Sequence, residues 1–81
     1  MDERLHRVVL YRDDAARRFT ITARMDRARL PGVDTQMAAR GFSRHELAAR
    51  LGKAAATALR DRERARWEAE GYTYVTRPAL S

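Results

Sequence analysis

The strongest constraint in this 81-residue sequence is a pair of β-type segments near its beginning. The segment RFTITARM, residues 18–25, places Phe19, Ile21, Ala23 and Met25 on one side and polar residues on the other, which is the period of a half-buried strand. The preceding LHRVVLYR, residues 5–12, has a continuous apolar centre typical of a strand covered on both faces. The intervening DDAAR lacks the Asn-Gly or Asp-Gly of a two-residue turn, so we expect a hairpin with a loop of about four or five residues.

The middle of the chain contains turn residues, followed by a pattern typical of the start of a helix. Pro31-Gly32 predicts a turn, and VDTQ, residues 33–36, predicts a short third strand. Ser43 and Glu46 have the spacing of a capping box, in which each side chain accepts a hydrogen bond from the other residue's backbone N–H. We therefore expect the main helix to begin at Ser43 and to continue to about residue 70. Its apolar stripe would consist of Leu47, Leu51, Ala54, Ala55, Ala58 and Leu59.

The end of the chain predicts one more strand. Gly71 suits the left-handed conformation that commonly ends a helix, and YTYVT, residues 72–76, alternates aromatic and smaller residues before Pro78. The whole sequence therefore predicts an α+β fold of the order β-β-(β)-α-β, in which one long helix covers a mainly antiparallel sheet. We expect a single domain over residues 1–81.

Arginine dominates the charge of this chain. Seventeen basic residues, sixteen of them Arg, outnumber eleven acidic ones and give a net charge of +6. Such a balance fits a nucleic-acid or acidic partner, and it fits equally well a composition bias that leaves arginines solvated on the surface. The lack of cysteine excludes disulfides and thiolate metal sites. Since no segment reads as a membrane span or signal peptide, we expect a cytoplasmic protein without metal or cofactor.

Catalytic groups are sparse in the sequence. The acidic candidates for a metal-dependent nuclease are Asp13, Asp14, Asp26 and Asp34. They would form a site only if the fold gathered them. His6 and His45 have no nucleophile at a recognised spacing once Ser43 is assigned to helix capping. We therefore expect a protein that is not an enzyme.

Binding residues are easier to nominate. Trp67 lies in the charged last turns of the expected helix, where it fits either a binding hot spot or a cap on the core above the last strand. The candidates for contact with a protein partner are Gln36, Arg40, Arg62, Arg66 and Trp67. The candidates for phosphate binding, on the second strand and its exit loop, are Arg17, Arg18, Arg24, Arg27 and Arg29.

The segment LPGVDTQ followed by RGFSRHEL resembles the signature of HicB-type antitoxins, in which a Leu-Pro-Gly turn and a short strand ending in Thr-Gln precede Gly-x-Ser/Thr-x-x-Glu at the start of the main helix. The matching residues are Leu30, Pro31, Gly32, Thr35, Gln36, Gly41, Ser43 and Glu46. With the flanking hairpin and helix, the resemblance covers roughly residues 4–60. It implies a reduced, non-catalytic ribonuclease-H-like fold, and a protein that neutralises a small partner ribonuclease toxin, usually as a homo-oligomer.

The leading hypothesis is a non-enzymatic binding module that acts through protein–protein contacts. Its candidate surfaces are the free edge of the sheet and the end of the helix that carries Arg and Trp. Two alternatives stay open: a basic nucleic-acid-binding protein, and an inhibitor from a phage or mobile element whose target is a complex that contains nucleic acid.

Overall fold

The computed structural model describes residues 5–25 and 32–76, which form four strands and two helices in the order β-β-α-β-α-β. These elements are β1 (His6–Asp13), β2 (Arg18–Met25), α1 (Val33–Ala39), β3 (Ser43–Leu51), α2 (Lys53–Ala69) and β4 (Thr73–Tyr74). The strands form one sheet in the spatial order β3-β1-β2-β4. β1 pairs antiparallel with β2 and with β3, whereas β2 pairs parallel with β4. The predicted α+β class and the mainly antiparallel sheet are thereby confirmed.

β1 and β2 form the expected hairpin. Their register is continuous from His6 opposite Met25 to Asp13 opposite Arg18, and residues 14–17 form the connecting loop. Arg17 ends the loop with a left-handed φ of 54°, a conformation that commonly closes hairpin loops longer than two residues. Both predicted strands and the predicted loop length are confirmed.

β1 is buried on both sides because a helix lies on each face of the sheet. On one side, here called the α2 face, the buried residues are Val8, Leu10, Phe19, Ile21 and Ala56. On the other side, here called the α1 face, they are Val9, Tyr11, Met37 and Phe42. The continuous apolar centre of the first strand therefore serves two separate cores, as its sequence predicts.

The predicted third strand over residues 33–36 is wrong, because this segment begins α1. Gly32 precedes the helix with φ of 87°, which glycine adopts without strain, and its carbonyl accepts the N–H of Gln36 at 2.8 Å. Val33 and Met37 are four residues apart and pack together against the α1 face. Burial of one side of a helical turn here outweighs the β preference of the segment.

The predicted helix start at Ser43 is also wrong, because residues 43–51 form β3. Leu47 and Leu51 are four residues apart, a spacing that suits one face of a strand as well as one face of a helix, and both pack on the α2 face. Ser43 donates its hydroxyl to the carbonyl of Arg12 at 3.0 Å and so links β3 to β1 instead of capping a helix. Pairing along β1 has overridden the local capping signal, and the helix begins ten residues later, at Lys53.

The predicted helix end and last strand are confirmed, the strand in a shorter form. Gly71 has φ of 92°, and the N–H groups of Gly71 and Tyr72 bind back to the carbonyls of Glu68 and Trp67 at 3.0 Å each, which is a Schellman motif. β4 then covers Thr73–Tyr74. Pro78 lies outside the described residues. Neither α1 nor α2 is long and apolar enough to cross a membrane.

We expect Gly52→Asp to raise the free energy of unfolding by about 0.5 kcal/mol. Gly52 is the N-cap of α2, has extended backbone angles, and makes no side-chain capping bond. A β-carbon there would meet no atom within 4 Å. An aspartate can accept a backbone N–H of the first turn and interact favourably with the helix dipole. Urea denaturation followed by circular dichroism measures the change.

Ser43→Asp is the matched control for the position of the helix start. Asp and Ser are equivalent at an N-cap, so a helix that began at Ser43 would tolerate the substitution. In β3 the aspartate loses the hydrogen bond to Arg12 and should destabilise the domain by about 1 kcal/mol. Equal stability of this variant and the wild type would contradict the strand assignment.

Candidate functional site

An open backbone edge runs along β3. β3 is the outermost strand on its side of the sheet, and within the described residues it pairs only with β1. Where its register with β1 is regular, alternate residues of β3 therefore direct their N–H and C=O groups away from the sheet. At the opposite side, β4 spans only two residues. An edge as long as that of β3 is where a sheet can accept a strand from another chain.

Two bulges divide this edge into a regular and an irregular part. Residues 43–46 pair in continuous register with residues 12 to 9 of β1. Beyond Glu46 the register shifts twice, because β3 has one extra residue at Leu47 and another between Ala48 and Leu51. Arg50, within the second bulge, has φ of 60°. Bulges bend and twist a strand, so residues 43–46 are the part that presents a regular edge.

On the α1 face, side chains of the regular edge belong to a charged network. Arg44 lies between two carboxylates, with Nε 3.2 Å from Oδ2 of Asp34 and a terminal nitrogen 3.5 Å from Oε1 of Glu46. The same Oε1 of Glu46 lies 3.5 Å from Nε of Arg7. Because the side chains of Arg44 and Glu46 are 38% and 43% exposed, the pair contributes little to stability and stays accessible to another chain.

Tyr11 connects this network to the core. Its hydroxyl donates to Oδ1 of Asp34 at 2.6 Å, and the residue is 5% exposed. Burial, followed by the bond to Asp34, raises the pKa of the Tyr11 phenol to about 12. Asp34 belongs to α1 and Arg44 to β3, so one carboxylate joins α1, the central strand and the edge strand.

On the α2 face, Ser43 and His45 form a hydrogen-bonded pair that the capping interpretation missed. The hydroxyl of Ser43 lies 2.8 Å from Nε2 of His45 and 3.0 Å from the carbonyl of Arg12. A hydroxyl has one proton, and the carbonyl can only accept, so donation to Arg12 leaves Ser43 as the acceptor from His45. This arrangement fixes the edge strand and does not activate a nucleophile.

Arginine and aromatic side chains cover the part of the α2 face around Trp67 and Tyr72. The indole of Trp67 has the guanidinium of Arg12 at 4.5 Å and that of Arg66 at 5.0 Å from its ring centre, while the ring of Tyr72 meets it edge-on at 5.3 Å. Trp67 also packs against the buried cluster, as expected for a cap on the core. Asp14 accepts bonds from Tyr72 at 2.8 Å and Arg12 at 2.6 Å, and these bonds, that of Tyr72 first, lower the pKa of its carboxyl.

The candidates for contact with a protein partner lie on both sides of the sheet. Gln36 and Arg40 are exposed on or beside α1, whereas Arg62, Arg66 and Trp67 belong to α2. Within the described residues the side chains of Arg40 and Arg62 have no ion pair, while Arg66 lies 3.6 Å from Glu63. The fold brings Arg66 and Trp67 together but separates this pair from Gln36 and Arg40.

The candidates for phosphate binding that the structure describes, Arg17, Arg18 and Arg24, are not gathered at one place either. Arg17 donates to the carbonyl of Glu70 at 2.7 Å, and Arg18 donates to Asp13 at 2.9 Å and to the carbonyl of Arg40 at 3.1 Å. Arg24 is six residues further along β2, roughly 20 Å away at the rise of a strand. Arg27 and Arg29 lie outside the described residues.

The acidic candidates that the structure describes, Asp13, Asp14 and Asp34, have structural partners. Asp13 is 6% exposed and accepts bonds from Arg18 and from the N–H of Ala16, the second of which is the main reason that the pKa of its carboxyl is lowered. Asp14 and Asp34 hold Tyr72 and Tyr11. Asp26 lies outside the described residues. Among residues 5–25 and 32–76 there is no group of three His, Asp or Glu side chains that could hold a metal ion.

No protein-family model, curated protein or solved structure matches this chain. What its described residues can do therefore has to follow from their own geometry. That geometry offers an open strand edge with a charged pair on one face and a hydroxyl–imidazole pair on the other.

We expect stability to decline between about pH 10 and pH 12 through Tyr11. The folded state raises the pKa of this phenol from 10.0 to about 12. Its contribution is therefore fully present below pH 10 and is lost as the pH rises through the folded value. Tyr11→Phe should remove this part of the alkaline decline. Absorbance titration at the phenolate band should show one phenol fewer with a midpoint near 12 in that variant, and an unchanged titration curve would contradict the assignment.

Proposed function

We propose that this chain is a non-enzymatic protein-binding module that accepts a strand of its partner at the outer edge of β3. The observation that carries the proposal is the edge itself. Residues 43–46 keep a regular register with β1, and within the described residues their outer side is open. In strand addition, main-chain hydrogen bonds supply affinity and alternate side chains supply specificity.

Side chains on the two faces of this edge would select the partner. Arg44 and Glu46 lie on the α1 face, since they are opposite the buried Tyr11 and Val9. Ser43 and His45 lie on the α2 face, opposite Arg12 and Leu10. An incoming strand would therefore meet two opposite charges on one face, and cross-strand pairs of opposite charge favour one register over its neighbours.

We further propose that the partner is a small ribonuclease toxin, which this chain neutralises in the manner of an antitoxin. The support is the resemblance of LPGVDTQ and RGFSRHEL to HicB-type antitoxins. Leu30 and Pro31 lie outside the described residues, while Thr35 and Gln36 belong to α1 and Ser43 and Glu46 to β3. The resemblance is therefore one of residue types and not of secondary structure, and two of its residues lie on the proposed binding edge. Such a toxin would act in the cytoplasm, where we propose that this chain resides.

Consecutive proline substitutions test the edge. Proline has no N–H, and successive residues of a strand direct their N–H groups to opposite sides. Of Arg44→Pro and His45→Pro, one therefore removes a bond to β1 and should lower the melting temperature. The other removes an outward N–H together with the exposed contacts of its own side chain, which are ion pairs for Arg44 and the bond to Ser43 for His45. It should keep most of its stability while binding the partner at least tenfold more weakly.

The measurement is co-expression with the small proteins encoded beside this chain in its native host, followed by light scattering, calorimetry and a ribonuclease assay. A stoichiometric complex in which ribonuclease activity is suppressed is the expected result. Recovery of this chain without a partner from every pairing would contradict the proposal. Unchanged affinity in the stable proline variant would move the binding surface away from β3.

Nucleic-acid binding is the second candidate function, and it is favoured by the cations that the fold leaves without either an ion pair or a side-chain hydrogen bond. Within the described residues these are Arg40, Arg50, Lys53 and Arg62. They add to a net charge of +6, which would attract a phosphate backbone without reading sequence. An inhibitor of a complex that contains nucleic acid would use the same cations.

Salt dependence tests this second function. Four phosphate contacts predict that raising the salt concentration from about 50 to about 200 mM weakens binding by on the order of 100-fold. Fluorescence anisotropy with labelled single-stranded and duplex DNA measures the affinity at both concentrations. Absence of binding at the lower concentration, or an affinity that does not change with salt, would eliminate the phosphate-binding function.

A further inference from the structure

We propose that, when no other partner is bound, the edge of β3 pairs with β3 of a second copy of this chain. The two strands would run antiparallel about a two-fold axis that passes through His45. The inference rests on the proposed function in one respect, namely that the outer edge of β3 is a protein-binding surface. It adds which chain occupies that surface and in which register.

Backbone geometry limits the registers that two identical edges can adopt. In an antiparallel pair, residues directly opposite each other either both exchange hydrogen bonds across the gap or both direct their polar groups elsewhere. Only alternate residues of one edge point outward, so the two opposite residues must be separated by an even number of positions in the sequence. A two-fold axis between two copies of β3 must therefore pass through a residue and not between two residues.

Strand length and charge together select one of these registers. An axis through Ser43 would place Arg44 and His45 opposite residues 42 and 41, which lie outside β3, and charge excludes two of the remaining three. An axis through Arg44 would place this arginine opposite its own copy, and an axis through Glu46 would place two glutamates opposite each other. Like charges directly opposite are destabilising. An axis through His45 instead places Arg44 opposite Glu46 of the second copy, and Glu46 opposite Arg44, which makes two pairs of opposite charge on the α1 face.

All residues required for this register lie in the part of β3 that can pair. Arg44, His45 and Glu46 are within the continuous register with β1. The first bulge begins at Leu47, which the axis through His45 would place opposite Ser43 of the second copy. The bulges thus confine self-pairing to a short segment, and that segment is self-complementary.

Existing contacts of the charged pair are compatible with this arrangement. Arg44 and Glu46 already lie 3.5 Å apart in one chain, with side chains 38% and 43% exposed. Each already has two partners of opposite charge, Asp34 and Glu46 for Arg44 and Arg7 and Arg44 for Glu46, and can take a third, because a guanidinium has five N–H donors and a carboxylate about four acceptor positions. The net charge of +6 opposes association, but at about 0.15 M salt the repulsion is screened beyond about 8 Å, whereas the paired side chains would be in contact.

Charge reversal tests the register. Arg44→Glu alone creates two Glu–Glu pairs across the axis, and Glu46→Arg alone creates two Arg–Arg pairs, so each variant should dimerise at least tenfold more weakly than the wild type. An equimolar mixture of the two variants pairs every glutamate with an arginine and should recover the wild-type dissociation constant within about threefold. Sedimentation equilibrium at about 0.15 M salt and pH 8, over about 1 μM to 1 mM, measures all of these.

Asp34→Asn is the control for the structural role of Arg44. It removes the ion pair between Asp34 and Arg44 and leaves the edge residues unchanged, so its dimerisation should equal that of the wild type. Circular dichroism shows whether each variant is folded. Should Arg44→Glu not fold, the cysteine variants below test the same register independently.

Disulfide formation locates the axis, because the chain has no cysteine of its own. His45→Cys would place two thiols opposite each other, with β-carbons about 4.5–5.5 Å apart before relaxation, close to the separation that a disulfide requires. Ser43→Cys would place its two thiols roughly 14 Å apart, at the rise of an antiparallel strand. Under mild oxidation, His45→Cys should form the covalent dimer at least tenfold faster than Ser43→Cys.

Three results would overturn this inference. One is a wild-type chain that stays monomeric to about 1 mM, the second is a mixture of the charge variants that dimerises no better than either alone, and the third is equal oxidation of the two cysteine variants. Loss of partner binding in the stable proline variant, together with any of these results, would leave the proposed function standing and remove only the self-pairing. Self-pairing with no binding of any neighbouring gene product would instead remove the proposed antitoxin function.

Discussion

The fold depends on the position of β1 between two strands and two helices. Its residues 8–11 are all buried, two toward α2 and two toward α1. In a chain of 81 residues a single core buries a limited area, so two small cores that share one strand stabilise each other. Within the described residues each helix packs on one core only. α2 contributes the buried Ala56 to one core, and α1 contributes the buried Met37 to the other. The edge strand β3 pairs with β1, so its position in the sheet also depends on β1.

The hairpin could be predicted from sequence because alternation over residues 18–25 is compatible with only one period. The middle of the chain could not, because a spacing of four residues between Leu47 and Leu51 suits both a strand and a helix, and the capping-box pattern then favoured the wrong one. One signal could have corrected it. Both helices end in the same way, at Gly41-Phe42 and Gly71-Tyr72. In each, the backbone N–H of the aromatic residue donates to the carbonyl of a large apolar residue five positions earlier, at 2.9 and 3.0 Å.

The candidate site was less accessible to sequence reasoning because arginine here has a packing role. Arg12, Arg17 and Arg18 place their guanidinium groups 4.5, 5.0 and 4.7 Å from the ring centres of Trp67, Tyr72 and Phe42. Cation–π contacts of this kind stabilise a fold by burying the arginine stem and orienting the charge. In the amino-acid composition these residues count only as positive charge. In the structure their guanidinium groups pack on aromatic rings, at a loop and at the ends of strands. That Arg44 and Glu46 share one face of an exposed strand could be recognised only if residues 43–51 had been predicted to form a strand.

The irregular second half of β3 limits the length of regular strand edge that is open to pairing. A long flat edge invites uncontrolled association, and bulges are one of the means by which proteins prevent it. In β3 the two bulges and the left-handed Arg50 occupy the second half of the strand, while the first half keeps its register. On the proposed function, pairing would be restricted to residues 43–46, and their charges would set its register. Because so short a segment can form few main-chain hydrogen bonds, we expect the complexes with a second copy and with another protein to be reversible, so that one partner can replace the other.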